Sequence, residues 1–178
     1  MPGTTSEATF ESLITRHLVE KEGFLEGAPD DYDRGLCLIP GDVVDVVRGL
    51  QPARWAAWVR VAGGVAEATD RLLRRVAHVV GEFGTVHALR KGVDIVGAPG
   101  GPFQLCAFEP ANPVAATDAA ANYHLNVFRV VRQVRYATDS AKSLDLVLFL
   151  NGLPVFTAEL KNELTGQTWR DAVQIGRA

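Results

Sequence analysis

Asp145 is the single charge in the apolar run 144–150 (LDLVLFL). An ionised carboxylate in such a strand is costly unless it is hydrogen-bonded, paired or bound to a metal. On the returning strand Glu159 and Lys161 alternate with Ala158 and Leu160, so they share one face, about 6.5–7 Å apart. Asp145 joins that face on one condition. Opposed residues of an antiparallel hairpin project to the same side, with Cβ atoms about 4.5–5.5 Å apart. A plain two-residue loop at Asn151-Gly152 sets Asp145 against Ala158; a three-residue loop, or a bulge that restores the parity, sets it against Glu159. Two carboxylates so placed repel each other, and a divalent cation resolves the repulsion. Carboxylate oxygens, a backbone carbonyl and waters suit Mg²⁺. Such a cation polarises a phosphoryl oxygen, while an ammonium at Lys161 orients or deprotonates the attacking water. Asp, then Glu-x-Lys on the next strand, is the minimal kit for metal-dependent phosphodiester hydrolysis.

The elements that must position these residues fall into a helix-rich first half and a strand-rich second half. Thr4 and Glu7 have capping-box spacing, and Phe10, Leu13, Ile14 and Leu18 follow at helical intervals, predicting a helix over 6–21 closed by Gly23. The acidic, breaker-rich stretch 26–33 predicts a loop. Further helices are expected over 40–50, from Pro52 through Trp55, Trp58 and Val59, over 65–80 and over 81–89. Beyond Lys91 the expectation is strands at 93–96 and 103–108, a helix at 115–124, and a long strand around 127–136. Strands follow at 144–150 and 155–161, then a helix beginning at 168–174.

Composition narrows the function classes. The 178 residues suffice for one domain with a sizeable core. Eighteen Lys and Arg against 21 Asp and Glu give a net charge of −3, so any nucleic-acid contact must come from a local patch. One such patch lies at 126–142, where Arg129, Arg132, Arg135 and Lys142 stand against Asp139 alone. The two cysteines, Cys37 and Cys106, are isolated, which argues against a disulfide scaffold or zinc site and for a reducing, cytoplasmic setting. His78, His87 and His124 have no zinc spacing, and GAPGG at 97–101 lacks the Lys-Ser/Thr of a phosphate loop. Neither a signal peptide nor an apolar run of membrane-spanning length is visible.

Asp145 with Glu159-Leu160-Lys161 resembles the PD-(D/E)xK nuclease motif. The text around it, Asn126-x-Phe128-x-Val130-Val131-x-Gln133-Val134, SLDLVLFLNGLP and ELKN with LTGQT, is similar to the N-terminal nuclease domain of the restriction (endonuclease/motor) subunit of type I restriction-modification enzymes. Phe10-Glu11, KGVDIVG and the stretch from Phe103 through Phe108 to Pro110 also fit that family. The resemblance implies a type I site-specific deoxyribonuclease: an Mg²⁺-dependent (or Mn²⁺-dependent) endonuclease acting on double-stranded DNA with modification and specificity subunits. It implies Asp145, Glu159 and the Leu160 carbonyl as metal ligands, Lys161 as the catalytic lysine, and Glu11 as a further candidate ligand. Beside Phe10, at the polar edge of its helix, Glu11 otherwise reads as a solvated side chain. The family's QxxxY motif has its first position at Gln174, but Ala178 stands where Tyr belongs. Candidate DNA contacts are Arg129, Arg132, Lys142 and Gln174. No GxxxxGK[ST] loop is present, so ATP use is expected only through a motor outside this chain, which reads as an N-terminal piece.

The expected fold is α/β: a central mixed β-sheet flanked by helices, a restriction-endonuclease-like core from 1–35 and 91–178, and a mainly helical insertion at about 36–90. A reading of a different class is a catalytically silent nuclease-fold module that docks partner subunits, favoured by Ala178.

Overall fold

The computed structural model describes residues 7–112 and 117–160. It is an α/β structure. Helix α1 (Glu7–Glu22) leads into a three-residue strand β1 (Leu25–Gly27), and the helices α2 (Pro40–Leu50), α3 (Pro52–Ala62), α4 (Val65–Phe83) and α5 (Thr85–Lys91) follow. After α6 (Thr117–Tyr123) come the strands β2 (Phe128–Arg135), β3 (Ser143–Leu150) and β4 (Leu153–Ala158). The sheet is mixed, in the order β1-β2-β3-β4, with β1 parallel to β2 and the other pairs antiparallel.

Local chemistry explains the helical half. Pro40 and Pro52 occupy the first turns of α2 and α3, where a missing N–H costs nothing. Val43, Val46 and Val47 of α2 recur at helical spacing and are buried, as are Leu72, Leu73, Val76 and Val79 of α4. Trp58, fully buried, donates its indole N–H to the Ala68 carbonyl at 3.1 Å and tethers α3 to α4. These side chains, with Phe103, Leu105 and Leu153, form the larger core. A smaller core of Ile39, Val131, Val134, Val147 and Phe149 lies against the sheet.

Three expectations are corrected here. The stretch 26–33 is not all loop: Leu25–Gly27 pairs with residues 129–131 as the parallel edge strand, and a 3₁₀ turn follows at Pro29–Asp31. The strands expected at 93–96 and 103–108 reduce to a single bridge, Val93 to Phe103. Helix side chains serve this backbone instead of a ladder. The Gln51 amide bonds both N–H and C=O of Gln104, while Arg75 and Arg71 donate to the carbonyls of Asp94 and Val96. The third correction concerns α1. Glu11, read as solvated, and Thr15 face inward, 7% and 3% exposed, whereas Phe10 and Leu13 of the apolar repeat are 49% and 43% exposed.

The tip of the β3–β4 hairpin is anchored in the helical half. Asn151 and Gly152 take φ of 53° and 81°, the left-handed pair of a two-residue type I′ turn. Asn151 is fully buried; its side chain accepts from the Val127 N–H and donates to the Leu105 carbonyl and to Asn126 Oδ1. The Ile39 N–H donates to the Gly152 carbonyl at 2.8 Å, which fixes the tip beside the start of α2. The opposite end of the hairpin carries Asp145 and Glu159. Among the described residues, no helix is long and apolar enough to cross a membrane.

Candidate active site

The hairpin has a two-residue loop, which alone would separate Asp145 from Glu159. A β-bulge reverses that outcome. Near the tip Leu150 pairs with Leu153 and Phe149 with Pro154; then Leu148 pairs with Phe156, Val147 with Thr157 and Leu146 with Ala158. Val155 is the extra residue, and it shifts the register by one. One step past Leu146 and Ala158, this register sets Asp145 opposite Glu159.

Asp145, half-buried, reaches across to the end of β4: its Oδ2 accepts the Leu160 backbone N–H at 2.6 Å. That short, charge-assisted bond ties the Glu159-Leu160 segment to β3 where the regular ladder stops. Glu159 is half-buried and has interactions of its own. Lys161 and Gln174 lie outside the described residues.

Two neighbours complete the cluster, and sequence reasoning missed one of them. Gln133, on β2, donates from its Nε2 to Asp145 Oδ1 at 3.2 Å and to Glu11 Oε1 at 3.0 Å, while Ser143 Oγ donates to its Oε1 at 2.9 Å. Glu11 is therefore no solvated glutamate: α1 turns it inward onto the sheet. No residue pattern singled out Gln133: it meets Asp145 through the β2–β3 register, in which Arg132–Leu146 and Val134–Leu144 flank the Gln133–Asp145 step. A cleft of about 220 Å³, lined by Glu11, Glu26, Gly27, Pro29, Arg132 and Gln133, opens beside the cluster.

The donor chemistry fits a hard cation: Asp145, Glu159, Glu11 and the Leu160 carbonyl offer oxygen only, as Mg²⁺ or Mn²⁺ require. No Lys, Arg or His of the described residues forms an ion pair with Asp145 or Glu11. Among the described residues, however, no three His, Cys, Asp or Glu side chains already converge as a metal cage.

The basic residues of β2 separate into distinct roles. Arg129 is committed elsewhere: it holds Asp42 of α2 in a two-pronged ion pair at 2.7 and 2.8 Å, with the two side chains 18% and 10% exposed. The hydrogen bonds to Asp42 push its guanidinium above the ordinary range. This pair fastens the helical half to the sheet, so the expected phosphate contact at Arg129 gives way to a structural one. Arg132 bridges Ser12 Oγ and Glu26 at the rim of the cleft, both at 3.1 Å, and keeps 40% of its side chain exposed. Lys142 is exposed just before β3.

No curated protein and no solved structure matches the chain. Residues 109–175, the stretch that contains β2, β3 and β4 together with Asp145, Glu159 and Lys161, match the family model of the type I restriction enzyme R protein N terminus.

Proposed function

We propose that the chain carries the nuclease site of a type I restriction enzyme's R protein, a restriction-endonuclease-like core that hydrolyses phosphodiester bonds of double-stranded DNA with Mg²⁺ or Mn²⁺. The observation that carries this reading is the Val155 bulge, whose register turns Asp145 toward Glu159 within the segment that matches the family model. A plain salt-bridged hairpin has no need of that parity.

Asp145, Glu159 and the Leu160 carbonyl would hold the cation, with Glu11 as the ligand from α1. When bound, the cation supplies Lewis acidity at a phosphoryl oxygen and at the attacking water. The protein's own residues do the rest. Asp145, fixed by the Leu160 N–H, presents its carboxylate in one orientation. Lys161 takes the role of orienting the water and offsetting charge that builds on the phosphate. Arg132 and Lys142, at the rim and exposed, hold flanking phosphates of the duplex, and Gln174 is a further candidate for that contact. Base sequence is not read here; that task, and ATP-driven translocation, fall to the specificity and modification subunits and to a motor outside this chain.

In a restriction complex assembled with those subunits, Asp145→Ala is expected to abolish DNA cleavage while leaving assembly intact. Cutting at the wild-type rate by that variant would overturn the reading in favour of a docking module.

A further inference from the structure

We propose that Gln133 is a wedge: its carboxamide keeps the carboxylates of Glu11 and Asp145 apart in the metal-free protein and must withdraw before a divalent cation enters. The inference rests on the metal-dependent reading above and concerns a residue to which that reading gives no part.

An amide nitrogen has two hydrogens, and Nε2 of Gln133 spends one on Glu11 Oε1 and one on Asp145 Oδ1, at 3.0 and 3.2 Å. The carboxylates come from α1 and β3, and without a donor between them they would repel. The amide is thus a neutral stand-in for a cation. It is also the wrong size for one. Hydrogens 120° apart hold their acceptors about 5 Å from each other, whereas adjacent oxygens around Mg²⁺, bonded at 2.0–2.1 Å, lie about 3 Å apart. The wedge therefore accounts for a cluster with the right donors that does not close into a cage among the described residues.

The backbone is distorted at the same point. Gln133 takes φ of 52° in the middle of β2, the left-handed region that a side-chain-bearing residue rarely enters, and the β2–β3 pairing skips the Gln133–Asp145 step. Ser143 holds the amide oxygen, so the wedge has a defined seat rather than a solvent-averaged position.

The test is calorimetric titration of the protein with Mn²⁺, beside its thermal melting with and without metal, for wild type, Gln133→Ala and Gln133→Asn. Asn tolerates the left-handed backbone but is one methylene too short to span both carboxylates. Both variants are expected to melt lower than wild type without metal. Both should bind Mn²⁺ about tenfold more tightly, because two charge-assisted hydrogen bonds no longer oppose entry. At saturating Mn²⁺ their melting points should approach that of wild type. Unchanged or weaker Mn²⁺ binding by both variants, with wild type binding normally, would overturn the wedge and leave the metal site standing. A wild-type protein that binds no Mn²⁺ would overturn both.

Discussion

Arg129 and Asp42 form an ion pair too buried to be treated as surface charge. Removing one partner strands the other in low dielectric, which costs about 3–5 kcal/mol. Arg129→Met and Asp42→Asn are each expected to lower stability by about 3 kcal/mol in chemical denaturation, and Asp42→Leu with Arg129→Met together to recover most of that loss. Asn151 is a second such point: its three side-chain hydrogen bonds serve the Val127 N–H, the Leu105 carbonyl and Asn126. Asn151→Ala leaves buried partners unmet and should cost about 3 kcal/mol by the same measurement. Cys106 supplies a readout of this packing. Burial pushes its thiol pKa up, so in native protein at neutral pH Cys37, which is exposed, should react with a thiol reagent and Cys106 only after unfolding. At this scale the sequence made Asp145 and Glu159 visible, because a charge inside an apolar strand demands a reason. The burial of Glu11 was hidden, since it depends on how α1 is rotated against the sheet, and so was the role of Gln133, whose place beside Asp145 depends on the β2–β3 register.

Among the elements, the hairpin decides whether the site exists. Val155 is the unpaired residue, so deleting it leaves Leu148 against Phe156 and Asp145 in step with Glu159. That deletion is expected to preserve metal binding. Inserting one Ala between Phe156 and Thr157 instead turns Glu159 to the other face and should abolish the Mn²⁺-induced rise in melting temperature, with far-ultraviolet circular dichroism unchanged. The parity requirement was legible in the chain; the bulge that meets it was not, because a proline at 154 fits the start of an edge strand as well as a bulge. Helices α2 to α4 were legible from Pro at their starts and Val, Leu and Trp at helical spacing. The short edge strand β1 was not, because three residues are too few to show a period and only pairing with β2 orders them. The stretch 93–106 misled for a related reason: its alternating apolar residues are buried, yet helix side chains rather than a neighbouring strand satisfy its backbone.

For the whole molecule the net charge is −3, and Arg129, spent on Asp42, is withdrawn from the cations that the described residues offer DNA beside the site. With Arg132 and Lys142 as the contacts among the described residues, binding of duplex DNA by this chain alone should be weak. Its logarithmic salt slope should be about −2, far shallower than that of a sequence-reading protein with six or more phosphate contacts. On the proposed function, tight binding to duplex DNA is expected to come from partner subunits and the cleavage chemistry from this chain. That division of labour stands or falls on the cation site. The most direct test is electron paramagnetic resonance of Mn²⁺ added to the wild-type chain and to Glu159→Gln: a bound, saturable signal in the first and its loss in the second is the expected result. An identical bound signal in both, or none in the wild type, would contradict the account.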